Sequence, residues 1–190
     1  ASHGVYYVYG SLHWRGRGYS DSVIGALWSW AVLVEIGVFF VGASLMQRLG
    51  PVKALALAAC AAILRWGAMS LDPAFGVVIA LQALHGVTFG LPHLAALAYL
   101  HANAPAGRVA TAQGLLSATG GGVGMLLITL AAASLYADFG GATYLLGTLF
   151  GVAGLSAALG LGLVGGGVKD RAAPAQPQSV RSGGNMTEPL

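Results

Sequence analysis

Charge is scarce in this sequence: Asp, Glu, Lys and Arg make up 8% of its 190 residues, against 56% hydrophobic residues. So few polar side chains cannot coat a water-soluble globule, and the composition is that of a membrane protein. The net charge of +3 comes from residues near the ends of apolar runs, with no basic patch interleaved with aromatics, which excludes a nucleic-acid surface. The single cysteine, Cys60, excludes an internal disulfide and a cysteine-built metal site. Lying inside an apolar run, it reads as a small buried side chain. The sequence has no nucleophile and base at catalytic spacing, no phosphate-binding glycine loop followed by Lys and Ser or Thr, and no close set of metal ligands. Neither an enzyme nor a cofactor is expected. No signal-peptide n-region precedes the apolar, aromatic start at Ala1, and the sequence reads as a fragment.

What the chain has in quantity is apolar runs of spanning length. Val23 to Leu45 is almost unbroken and carries one carboxylate, Glu35, near its midpoint. A helix of about 20 apolar residues crosses the hydrocarbon core of a bilayer. A charge at mid-depth costs about 2.5–3.5 kcal/mol on insertion scales, so it is kept for a task or a partner.

The hydropathy pattern predicts an all-α membrane protein of six transmembrane helices, the first truncated. Ala1 to about Trp14 is too short to span and places His3, Tyr6, Tyr7 and Gly10 on one face. Ser20 or Asp21 can cap the helix of Glu35, which runs to about Met46 before Gly50 and Pro51. The third helix, Pro51 to Leu71, starts with Pro in its first turn, and Asp72-Pro73 forms the next turn. The fourth runs from about Phe75 to His101, the fifth from Val109 to Leu135 and the sixth from about Ala142 to Val164. Gly120-xxx-Gly124 and Gly147-xxx-Gly151 have the spacing that lets helix backbones approach in lipid, with a hinge as the alternative use. Residues 1–166 therefore form one transmembrane bundle, and the Pro-, Gln-, Ser- and Gly-rich residues 167–190 a disordered tail. The loops of Arg48 and Lys53, of Arg108 and the tail hold most of the Lys and Arg outside the spans, which puts them and the C-terminus in the cytoplasm.

Three consecutive spans turn an ionisable group inward. Trp28, Ala31, Val32, Phe39 and Gly42 share the face of Glu35, and Ala58, Ala61, Ala62 and Met69 that of Arg65. Gln82, His85 and Thr88 make a polar stripe on the fourth span, with His93 two turns further on. Acid, guanidinium and imidazole at mid-membrane bind polar solutes and exchange protons. Arg65 can hold either Glu35 or a substrate carboxylate, and breaking their pair would let the acid take up a proton. A fixed Glu35–Arg65 packing pair is the structural alternative.

The loop GASLMQRLGPVK (42–53) resembles a degenerate copy of the cytoplasmic loop motif of the major facilitator superfamily, with Gln47 where an Asp is common. The segments HGVYYVYGSLHW, GALWSWAVLVEIGVFF, LRWGAMSLD, LQALHGVTFGLPHLAALAYL and ATAQGLLSATGGGVGM together resemble the phenylpropionate permease-like branch, related to the galactoside and nucleoside proton symporters. The resemblance implies the C-terminal six-helix bundle of a twelve-helix fold, helices seven (partial) to twelve, completed by a missing N-terminal half. In the galactoside relatives a Glu on helix eight, an Arg on helix nine and a His on helix ten serve sugar binding or proton coupling, and Glu35, Arg65 and His85 match them in type. Thr88 stands where those symporters carry a second Glu. The resemblance implies a secondary transporter of the bacterial inner membrane, a proton symporter for a small organic acid, aromatic acids included. The site residues would be Glu35, Arg65, His85, Trp28, Phe39, Gln82, Thr88 and His93, and the partners the solute, protons and lipid. A sugar or nucleoside symporter and a self-standing six-helix channel or scaffold are the competing readings.

Overall fold

A computed structural model describes the backbone of residues 1–171 and the side chains of residues 1–163. The described residues form helices α1 (Gly4–Gly16), α2 (Asp21–Met69), α3 (Phe75–Ala83), α4 (Leu91–Asn103), α5 (Val109–Leu116), α6 (Met125–Phe139) and α7 (Leu145–Arg171). Wider π-helical turns at Gly86–Gly90 and Ser117–Gly124 join α3 to α4 and α5 to α6 without a loop, and a 3-10 turn, Gly140–Tyr144, leads into α7. Three continuous helical stretches, Asp21–Met69, Phe75–Asn103 and Val109–Leu163, are long and apolar enough to cross a membrane. Helix α7 continues to Arg171, past the expected start of the tail at 167; the rest of that tail, 172–190, lies outside the described residues.

The 49 residues of α2 cannot form one straight rod in a bilayer. At about 1.5 Å per residue the rod would be about 74 Å long, more than twice the hydrocarbon thickness. Gly50 breaks it with φ 70° and ψ 162°, and Pro51, which lacks an N–H, starts the second arm. The positive φ needs glycine. Helix α2 is therefore two arms, 21–49 and 51–69, hinged at one residue. Ser20 caps the first, its Oγ accepting from the Val23 N–H at 3.4 Å.

Small side chains set how closely the second arm packs. Ala54, Ala58 and Ala62 are buried on its inner face, Ala54 and Ala58 against Leu91 and Ala95 of α4. Helix α7 crosses the same arm at Gly147 and Gly151, where an added Cβ would stand 2.8 Å from the Trp66 ring and 2.9 Å from Ile63. This pair packs as its spacing predicts. The other pair behaves differently: Gly124 meets the Ala1 side chain, whereas Gly120 faces open space because it lines a cleft. Cys60 is exposed, contrary to the expected burial. It shares an outward stripe with Leu57 and Leu64, opposite the alanine face, so its apolar surroundings are those of the lipid side.

One end of the bundle is held by polar contacts. Asp72 takes a left-handed conformation, φ 50°, in the turn after α2. His13 Nε2 donates to its carboxylate at 2.8 Å, which leaves Nδ1 to accept from the Tyr136 hydroxyl at 3.1 Å. Arg17 donates to the Pro73 carbonyl at 3.1 Å. We expect Asp72→Ala to cost about 1 kcal/mol, lowering Tm by about 2–4 °C in detergent. An unchanged melting curve would remove this cluster from the account of stability.

Candidate functional site

Arg65 lies at the centre of the bundle, fully buried on the second arm of α2. Its Nη2 donates to Gln82 Oε1 at 2.7 Å, and Gln82 Nε2 donates in turn to the Tyr6 hydroxyl at 2.9 Å. Because a guanidinium only donates, the Gln82 amide must turn its oxygen to Arg65. Nη1 reaches three acceptors: Thr88 Oγ1 at 2.9 Å, His85 Nδ1 at 3.1 Å and His3 Nε2 at 3.3 Å. The faces of Tyr6 and Trp66 flank the cation, 5.0 and 4.5 Å from its centre. Its Nε has no hydrogen-bond partner among the described residues.

The expected ion pair between Arg65 and Glu35 is not made. No carboxylate lies within 4.0 Å of Arg65 among the described residues. His85 stands between the two groups, its Nδ1 toward Arg65 and its Nε2 3.2 Å from Glu35 Oε2. Since Nδ1 accepts from the guanidinium, neutral His85 carries its hydrogen on Nε2 and donates it to the carboxylate. Local backbone packing brings these groups together. The turn after His85 lies so close to the first arm of α2 that a Cβ on Gly86 would be 2.9 Å from the Val34 carbonyl oxygen, one residue before Glu35.

The stripe Gln82, His85 and Thr88 is buried as its three-residue spacing predicts. Trp28 joins the cluster from the side: its ring packs on Tyr6 at 4.3 Å between centroids and its Nε1 donates to Ser11 Oγ at 3.0 Å. Phe39 and His93 stand apart from the hydrogen-bonded cluster. Both are exposed, and their rings meet edge to face at 6.4 Å. His93 lines, with His3, Tyr7, Thr88 and Phe89, a cleft of about 720 Å³ between the second arm of α2, α4, α5 and α7. Sequence reasoning put no role on His3, Tyr6 or Trp66. The one signal for the first two was the shared face of His3, Tyr6 and Tyr7, and for Trp66 its place beside Arg65.

The model of the MFS_1 like family matches residues 1–146, which hold every side chain of the cluster. The chain belongs to the MFS_1 like family. This MFS_1 like chain is 33% identical over 139 residues to the protein named "Probable 3-phenylpropionic acid transporter" of Escherichia coli (strain K12). The match covers 73% of the chain and 36% of the relative, so the chain spans about a third of that protein's length. No solved structure matches it. Its family and its apolar helices make the MFS_1 like chain a multi-pass membrane protein of the major facilitator superfamily, in the phenylpropionate permease-like branch.

Proposed function

We propose that the chain is the C-terminal six-helix bundle of a twelve-helix proton symporter that moves a small organic acid, aromatic acids included, across the bacterial inner membrane. The six spans would be α1, the two arms of α2, α3 with α4, α5 with α6, and α7. The Gly50 hinge, the residues after Asn103 and the C-terminus would face the cytoplasm, where the basic residues concentrate. An N-terminal half of the same polypeptide would complete the site, the two halves rocking around it by alternating access.

The observation that carries this reading is a fully buried guanidinium with no carboxylate beside it among the described residues. A buried cation costs several kcal/mol unless compensated, and the ring of Gln82, Thr88 and neutral imidazoles solvates Arg65 without neutralising it. A solute carboxylate entering from the cleft, past the His3 and Thr88 side chains that line it, would supply the missing charge to Arg65 behind them, whose Nε is a donor still to be satisfied among the described residues. This favours an acid over a sugar. Glu35 would carry the proton, and His85, in contact with both Glu35 and Arg65, would report its state to the guanidinium. Trp28 and Phe39 would offer aromatic surface, and His93 a polar group at the cleft. The name of the Escherichia coli relative supports the solute class.

The test is uptake of radiolabelled 3-phenylpropionate into proteoliposomes holding the full-length polypeptide. Accumulation driven by an inward proton gradient is expected, with competition by other aryl carboxylates and none by 3-phenylpropanol. Competition by neutral sugars or nucleosides, and none by acids, would overturn the assignment. Glu35→Gln keeps an acceptor for His85 but mimics a permanently protonated acid. Its uptake is expected to be the same with and without the proton gradient, and a retained response to the gradient would move the proton site elsewhere.

A further inference from the structure

Nη1 of Arg65 has two hydrogens and three acceptors within 3.3 Å. The surplus is matched on Thr88, whose hydroxyl has one hydrogen and two acceptors, His3 Nε2 at 3.2 Å and the His85 carbonyl at 3.3 Å. Two complete arrangements follow. In the first, Arg65 donates to Thr88 and to His85 Nδ1, and the Thr88 hydroxyl donates to His3. In the second, Arg65 donates to Thr88 and to His3 Nε2, and the Thr88 hydroxyl turns to the His85 carbonyl. Each satisfies every Nη1 hydrogen without moving a backbone atom. They differ in one respect: the first uses His85 Nδ1 as an acceptor and the second leaves it free.

We propose that His3 is the alternate acceptor for Arg65, a positioning residue that takes the guanidinium when the Glu35–His85 pair gains a proton. The inference rests on the proton-symport reading above. A proton from the aqueous phase that binds His85 Nδ1 lets the Nε2 hydrogen pass to the Glu35 carboxylate 3.2 Å away, so the acid holds the proton and the neutral ring keeps its hydrogen on Nδ1. Nδ1–H would then point at a guanidinium that can only donate, donor against donor, so Arg65 leaves it. His3 Nε2 is the acceptor already within reach. Its own tautomer suits this, because Ser2 Oγ lies 3.3 Å from Nδ1 and can accept the Nδ1 hydrogen. The groups facing His3 are Arg65 and, through His85, Glu35 from α2; His85 from the turn after α3; and Tyr6 and Tyr7 from α1, which His3 precedes. None is a carboxylate in direct contact, so His3 meets Arg65 best as a neutral acceptor. His3 and Thr88 also line the cleft, whereas Glu35, Arg65 and His85 do not. The exchange therefore carries the state of a buried acid to the cleft wall.

The experiment compares two readouts in proteoliposomes of the full-length polypeptide: accumulation of the aromatic acid driven by a proton gradient, and its exchange between equal concentrations inside and out. His3→Ala is expected to lower the ratio of accumulation to exchange about tenfold, within the range of ordinary coupling free energies. His3→Gln, whose amide oxygen can accept, is expected to restore most of that ratio and to shift the pH profile of accumulation. A His3→Ala ratio equal to wild type, or equal losses in both readouts that Gln does not rescue, overturns the proposal. Wild-type protein that exchanges without accumulating would refute proton coupling itself, and with it this switch; wild-type protein that does neither would refute the transport reading. Should His3→Ala fail to fold, 15N-histidine spectra of the wild-type protein read the same event. The His3 Nε2 signal is expected to move as His85 titrates, and a His3 signal indifferent to His85 overturns the switch.

Discussion

Arg65→Ala is expected to reduce acid uptake by about a hundredfold at unchanged protein level, because removing one side of a buried charge contact costs about 2–5 kcal/mol. The guanidinium also organises the cluster, so its loss leaves Gln82, Thr88 and His85 without their common donor. Arg65→Lys should restore little. An ammonium carries the charge, but as a compact point on a flexible stem it cannot reach Gln82 on one side and Thr88 with His85 on the other. Uptake and thermal stability measured on both variants decide the matter. Wild-type uptake in Arg65→Ala would dispose of the carboxylate-binding role. The double change Glu35→Gln with Arg65→Gln discriminates further, since a mere neutralising pair would tolerate it and the transport reading predicts a dead protein.

The second large effect is structural. Gly86→Leu places a Cβ 2.8 Å from Val38 Cγ2 and 2.9 Å from the Val34 carbonyl oxygen, and a helix backbone cannot give way as a side-chain end can. Overpacking of this kind costs about 1–3 kcal/mol, which for a chain of this size is a fall in Tm of about 3–10 °C. The α3–α4 stretch must stand off the first arm of α2, and the 3.2 Å contact of His85 with Glu35 is lost with it. Gly37→Leu on the same arm is the control, because nothing lies within 4 Å of its added Cβ. Equal melting temperatures in the two variants would show that the approach at Gly86 is not tight.

Much of this arrangement was legible in the residues. Periodicity put Arg65 on the alanine face of its helix and aligned Gln82, His85 and Thr88, because both depend only on the rotation per residue. Gly50 and Pro51 marked the hinge through their own backbone limits. What periodicity does not carry is height and rotation between helices. It placed Glu35 and Arg65 on inward faces and paired them, yet the close approach at Gly86 slides an imidazole into the gap. Phe39 is one turn from Glu35, but it is exposed beside His93, outside the contact with α1 that holds Trp28. His3 was placed on one face with Tyr6 and Tyr7 but given no role, because its partners Thr88 and Arg65 are far away along the chain and only the tertiary fold joins them. Cys60 shows the same limit in reverse, since an apolar run does not say whether its neighbours are protein or lipid.

The hinge at Gly50 has a mechanical consequence. With one residue between them, the two arms of α2 resemble the prongs of a tuning fork, free to splay at the tips and unable to slip lengthwise past each other. Glu35 rides on one prong and Arg65 on the other, while His85 is mounted on a different rod. A torque that tilts the fork as a unit therefore carries acid and guanidinium past the imidazole together. Tilting of the fork therefore acts on both contacts of His85 at once, while the side-chain exchange of Arg65 between His85 and His3 leaves the fork at rest.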